Sequence, residues 1–229
     1  MNIAIILAAG SGKRMKGADK VFFSILGRPL LFYTVKMFEN HPKVNKIILV
    51  AKKKNFKKII SVINKYKFKK IGKVVLGGKE RQDSAFSGLR AAKEMGAKKG
   101  DLILFHNVAN PMVSQEEITE VLGAAKKHKT ALLCQPAKDT VKEVNKNGFI
   151  VRTLDRKKLF LAQVPQVIEY DLAKKAFYAA AKNNFYGTDD VSLAERLGAK
   201  VKVVPASYRN IKVTTREDLK IIKAFLSQS

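Results

Sequence analysis

The residues with the clearest chemical promise stand near the start of the chain: Leu7-Ala8-Ala9-Gly10-Ser11-Gly12-Lys13-Arg14-Met15, followed by Lys20. Small residues let a backbone approach phosphate oxygens closely, and Lys13, Arg14 and Lys20 supply the positive charge that such oxygens attract. The chemistry suggested is the gripping of a polyphosphate. Two familiar loops are excluded. A GxxxxGK phosphate loop needs glycine where Leu7 stands. A dinucleotide fingerprint needs a small residue where Met15 stands and an acidic one where Ala51-Lys52 ends the second strand. Other chemistries are poorly served. The single cysteine, Cys134, rules out a disulfide framework and a Cys-rich zinc site, and reads as a core residue. No Ser-His-Asp or Cys-His arrangement is evident. His41 and His128 read as surface residues, and Phe22-Phe23 as packing. His106, at a strand end, either orients its neighbours or serves structure alone.

The elements that must position these residues follow from hydrophobic patterning. Ile3–Leu7, Lys46–Ala51, Val74–Leu76, Leu102–Phe105 and Ala131–Gln135 read as buried strands. Helical spacing falls between them, over Leu30–Phe38, Phe56–Tyr66, Ser84–Met95 (with Ser84 as the cap) and Glu116–Lys129. Leu172–Lys182, Val191–Leu197 and Glu217–Leu226 read as further helices and Val201–Val204 as a strand. This alternation predicts an α/β fold, a Rossmann-like three-layer sandwich with a mostly parallel sheet. Residues 137–160 break the pattern. They are polar and β-tending, with a turn at Asn145-Lys146-Asn147-Gly148, and read as a protruding hairpin arm within a single domain spanning 1–229. Ligands of such sheets sit beyond the carboxyl ends of the strands, where residues 8–20, 77–84, 106–111 and the loop before the arm fall.

The 229 residues carry 45 Lys+Arg against 19 Asp+Glu, a formal net charge of +26. Lysines outnumber arginines 36 to nine and are spread along the chain, whereas sequence-specific DNA readers lean on Arg for two-point contacts. The excess therefore reads as solvated surface that also attracts small polyanions, with no specific nucleic acid expected. The apolar run at the start is short and lacks a basic flank, and no later run approaches the ~18 residues of a membrane span. A cytoplasmic protein with no membrane attachment is expected.

The first segment resembles the nucleotide-binding signature of sugar-phosphate nucleotidylyltransferases. Gly77-Gly78-Lys79-Glu80-Arg81-Gln82-Asp83-Ser84, Thr153-Leu154-Asp155-Arg156, Thr188-Asp189-Asp190 and Asn210-Ile211-Lys212-Val213-Thr214 narrow the resemblance, in order along the whole chain, to the 2-C-methyl-D-erythritol 4-phosphate cytidylyltransferases. That resemblance implies transfer of CMP from CTP to a small polyol phosphate, with Mg²⁺ as cofactor and a homodimer as the assembly. It implies Arg14 and Lys20 as catalytic residues. Ala8, Ala9, Gly10, Ser11, Gly12, Gly78, Ser84 and Asn107 would bind CTP, and Thr140, Arg156, Thr188 and Lys212 the acceptor. Three departures stand out: Lys79 and Asn107 where the family usually carries Asp, and Asn110 where it usually carries an Arg near the sugar phosphate. Metal ligands are not identified, Asp189 or Asp190 being candidates to substitute for the missing carboxylate. Alternatives are a ribitol-5-phosphate cytidylyltransferase and a non-catalytic nucleotide- or nucleic-acid-binding relative.

Overall fold

The computed structural model describes residues 1–10 and 19–227. In chain order the elements are β1 (Asn2–Ala8), the short hairpin β2 (Ser24–Ile25) and β3 (Arg28–Pro29), α1 (Leu30–Glu39), β4 (Lys46–Ala51), α2 (Phe56–Tyr66), β5 (Ile71–Leu76) and α3 (Arg81–Glu94). There follow β6 (Leu102–Asn107), α4 (Gln115–His128), β7 (Thr130–Pro136), the arm strands β8 (Lys142–Val144) and β9 (Ile150–Thr153), and β10 (Phe160–Glu169). The chain closes with α5 (Tyr170–Lys182), α6 (Val191–Glu195), β11 (Lys202–Pro205) and α7 (Arg216–Ser227).

Among the described residues the main sheet has seven strands in the order β11-β7-β10-β6-β1-β4-β5. The strands pair in parallel except β10, which runs antiparallel to both β6 and β7. The period of two along each strand builds both outer layers. Ala4, Ile6 and Ala8 of β1, with Ile47, Leu49 and Ala51 of β4, pack on one face under α1, α2 and α4. Ile3, Ile5 and Leu7, with Ile48 and Val50, pack on the other under α3, α5 and α6. Both faces being covered, these strands read as continuous apolar runs rather than alternating ones.

Three expectations are corrected. The antiparallel strand β10 was not expected, because Pro165 interrupts its apolar pattern; the ladder accommodates it through a register shift between Ala162 and Gln166. α3 begins at Arg81, not Ser84. Glu80 is its cap, and Asp83 Oδ2 accepts the Glu80 N–H at 2.9 Å. His41 is fully buried, not on the surface, with Nε2 3.0 Å from Thr119 Oγ1 and 3.2 Å from the Gln115 carbonyl of α4. Cys134 is a buried core residue of β7, its thiol pushed up to about 11 by burial and then by nearby Asp189.

Candidate active site

A cavity of about 540 Å³ opens beyond the carboxyl ends of β1, β4 and β6. Ala8, Ala9, Gly10, Lys20, Gly78, Ser84, Asn107 and Lys212 all line it, although they come from four separate stretches of sequence. Ser11, Gly12 and Arg14 lie outside the described residues. Thr188 instead faces an adjoining cavity of about 380 Å³, which shares Lys79, Glu80 and Arg81 with the first. Thr140 and Arg156 line neither. They sit exposed on the arm, where Arg156 Nη1 donates to the Lys138 carbonyl at 2.5 Å.

The floor is set by close backbone packing. A Cβ on Gly77 would lie 2.4 Å from Ala9 Cβ, and one on Gly78 would lie 2.3 Å from Asp83 Cβ, so neither position admits a side chain without moving a neighbour. Ser84, inside α3, accepts the Gly78 N–H at 3.2 Å and donates to the Glu80 carbonyl at 3.2 Å. Its hydroxyl thus braces the loop against the helix that follows. Lys20 Nζ donates to the Val213 carbonyl at 3.1 Å, which ties Lys20 to the segment carrying Lys212.

A polar network joins the remaining segments. Arg81 meets Asp190 in a two-point ion pair and donates from Nε to Asn107 Oδ1 at 3.3 Å. Burial pulls the Arg81 guanidinium down, but Asp190 and then Asp189 outweigh it and raise it above its ordinary value. Gln166 of β10 holds the same loop: its Oε1 accepts the Asp190 and Val191 N–H groups at 2.9 and 3.1 Å, and its Nε2 donates to Asp189 Oδ2 at 2.8 Å. Asp190 is 1% exposed and committed to Arg81, so it is not presented as a metal ligand. Asn110 is also buried. Its amide lies 3.5 Å from Asn210 rather than on the cavity wall where the sugar phosphate was expected. His106 lies beneath, its Nε2 2.8 Å from the Asn110 carbonyl and its Nδ1 without a partner. Burial, reinforced by Arg81, pushes it down to about 4 despite that carbonyl's opposing pull.

Sequence reasoning missed Arg81 and Gln166 as parts of the site, together with Asp19 and Lys52 on the cavity wall, and offered Asp190 as a substitute metal ligand rather than as the partner of Arg81. Arg81 and Asp190 stood inside quoted segments, yet their pairing across 109 residues has no local signal. Gln166 was hidden with its strand.

Fold and site together define a nucleotidyltransferase of the α/β class. The model of the family IspD, 2-C-methyl-D-erythritol 4-phosphate cytidylyltransferase, matches residues 2–228, and the chain belongs to that family. It is 40% identical over 229 residues to the 2-C-methyl-D-erythritol 4-phosphate cytidylyltransferase of Syntrophus aciditrophicus, covering 99% of this chain and 96% of the relative. It is likewise 40% identical over 229 residues to that of Caldanaerobacter subterraneus, covering 99% of each. Among solved structures, the 4-diphosphocytidyl-2C-methyl-D-erythritol synthase of Anaerococcus prevotii superposes with a TM-score of 0.87 at 30% identity, over 99% of this chain and 96% of that one. No helix among the described residues is long and apolar enough to cross a membrane.

Proposed function

We infer that this chain transfers CMP from CTP to 2-C-methyl-D-erythritol 4-phosphate, releasing pyrophosphate, as a step in isoprenoid precursor synthesis in the cytoplasm. The observation that carries the reading is one cavity lined by Ala8-Ala9-Gly10, Gly77-Gly78, Lys20 and Lys212 together. An oxygen of the acceptor's phosphate monoester attacks the α-phosphorus of CTP in line, a P–O bond forms, and the bond to the β-phosphate bridging oxygen breaks. Such a reaction asks for positioning and charge neutralisation rather than a protein nucleophile. Arg14 and Lys20 take the charge on the triphosphate. Ala8, Ala9, Gly10, Ser11, Gly12, Gly78 and Ser84 shape the nucleoside side, and Lys212, Thr188, Thr140 and Arg156 serve the acceptor.

A divalent cation suits this site as a companion of the triphosphate. Among the described residues no group of three or more His, Cys, Asp or Glu is placed to hold a metal. Mg²⁺, however, is ordinarily held by one or two protein oxygens together with substrate phosphates and water. Asp19, steadied by Asn55 Nδ2 at 2.6 Å, and the Asn107 amide oxygen supply oxygens on the cavity wall. When bound, the ion neutralises phosphate charge.

The arm supports a homodimer. Val144, Phe149, Ile150 and Val151 expose more than half their surface, Phe149 as much as 70%, on a two-stranded element that water alone does not stabilise. Burying these apolar side chains on a second copy would bring Thr140 and Arg156, which line neither cavity described above, toward the partner's cavity.

The test is pyrophosphate release from CTP with 2-C-methyl-D-erythritol 4-phosphate, with ribitol 5-phosphate and with no acceptor, beside sedimentation at micromolar concentration. Release only with the first acceptor, from a dimer, is expected. Preference for ribitol 5-phosphate changes the substrate; CTP binding without release under every condition removes the enzyme reading; an active monomer removes the dimer.

A further inference from the structure

The cavity wall between β6 and α4 is a tight turn, residues 107–110, whose four carbonyl oxygens all face donors supplied by the protein. The Asn107 carbonyl accepts the Asn110 N–H at 3.0 Å, closing the turn. The Val108 carbonyl accepts the hydroxyl of Thr34 at 2.7 Å. The Ala109 carbonyl accepts the Val213 N–H at 2.7 Å. The Asn110 carbonyl accepts from His106 Nε2 at 2.8 Å. Asn107, Val108 and Ala109 nevertheless line the cavity, so this wall meets the ligand with its oxygens already engaged elsewhere.

Thr34 has no local reason to be where it is. It stands mid-way along α1, fully buried, on a face otherwise given to Leu30, Leu31, Val35 and Phe38. A mid-helix threonine ordinarily returns its hydroxyl to the carbonyl four residues back. Here that oxygen, on Leu30, is 3.5 Å away, and the hydroxyl is aimed across the interface at Val108, 74 residues on. A carbonyl oxygen carries partial negative charge. Released toward a cavity that receives a triphosphate, it would repel the ligand, and left buried without a donor it would be costly.

The geometry points to Thr34 as a positioning residue for polyphosphate recognition, its hydroxyl keeping the Val108 carbonyl turned away from the bound phosphates. This rests on the CTP reading above and goes beyond it, because Thr34 acts from beneath the wall without touching the ligand. Its signature is selectivity: the hydroxyl matters to ligands in proportion to their phosphate charge, and hardly at all to the uncharged nucleoside.

The experiment is calorimetric titration of CTP and of cytidine into wild-type protein, Thr34→Val and Thr34→Ser, with a thermal melt of each. Thr34→Val keeps the volume and removes the donor; Thr34→Ser keeps the donor. Expected is a loss of about tenfold in CTP affinity for Thr34→Val, the scale of one hydrogen bond, with cytidine affinity unchanged within about twofold and Thr34→Ser close to wild type. A CTP-to-cytidine affinity ratio in Thr34→Val equal to that of wild type overturns the proposal, as does Thr34→Ser behaving like Thr34→Val. If Thr34→Val does not fold, Thr34→Ala, which cannot overpack, is held to the same ratio. Wild-type protein that binds cytidine as tightly as CTP fails the CTP reading itself, a result distinct from either of these.

Discussion

Arg81 and Asp190 face each other as a planar fork, Nη1 to Oδ1 at 2.8 Å and Nη2 to Oδ2 at 2.5 Å, where the two cavities adjoin. Removing one partner of such a pair is worse than removing both, because a desolvated charge is left behind. Asp190→Ala is expected to cost ~3 kcal/mol, near the low end of the usual range because the Arg81 side chain keeps 33% exposure. Urea denaturation of Asp190→Ala, Arg81→Ala and the double variant measures it. A double variant as unstable as the two single effects added together would mean the pair does not couple.

Arg14→Ala and Lys20→Ala should each lower kcat by ~10²–10³ while weakening CTP binding less, since the charge they meet grows in the transition state. Steady-state kinetics with CTP titration separates the two effects. Arg156→Ala and Lys212→Ala should instead raise KM for the acceptor at nearly constant kcat.

Asn107→Asp places a carboxylate where the amide oxygen now faces Arg81 Nε. The Mg²⁺ concentration for half-maximal rate should fall, and Mn²⁺ bound in the presence of CTP, followed by water proton relaxation, should tighten in parallel. Asn110→Arg, which would restore the arginine usual in the family, is a different matter: Asn110 is 1% exposed and packed against Asn210, so an Arg there is overpacked and short of partners, and a lower melting temperature is expected.

His106 links stability to acid. Its folded-state value of about 4 lies below the ordinary 6.5, so between these values the unfolded chain binds a proton that the native protein refuses. Stability is therefore complete above pH 6.5 and is lost as pH falls toward 4, by about 2 kcal/mol between pH 7 and pH 5 from this residue alone. His41, also lowered by burial, acts in the same direction. Comparing urea midpoints at the two pH values for wild type and His106→Gln, which retains a donor for the Asn110 carbonyl, should show a smaller difference in the variant.

Elements whose signal is local were legible in the sequence. The apolar runs of β1 and β4 and the helical spacing of α2 are each decided within a few residues, and the glycine segments announce close approach by their composition. What escaped depends on distant partners. Ala131–Gln135, the body of β7, was recognisable as a strand, but that β10 would lie antiparallel beside it was not, because Pro165 masks the pattern and the register shift that tolerates it belongs to the pairing. His41 reads as a loop residue until α4 supplies Gln115 and Thr119 around it. Arg81, Gln166 and Asp190 are ordinary polar residues until the sheet brings their loops together.

The arm leaves the sheet at Pro136 and returns at Phe160, and these two residues are directly paired neighbours, with the Ala137 N–H bonded to the Leu159 carbonyl at 3.0 Å just beyond them. Topologically, then, the arm is an overgrown hairpin loop, spliced between two strands that would meet without it. Doubling the length of such a loop costs only about 0.6 kcal/mol in closure entropy. Natural variation can therefore lengthen, trim or exchange this insert while the register beneath it stays put. The described residues assigned to the nucleotide are rooted in the scaffold, as are Thr188 and Lys212 on the acceptor side, whereas Thr140 and Arg156, also assigned to the acceptor, travel with the insert. Grafting the arm of a relative onto this sheet would accordingly be a way to change the alcohol partner while leaving the nucleotide half of the protein in its own hands.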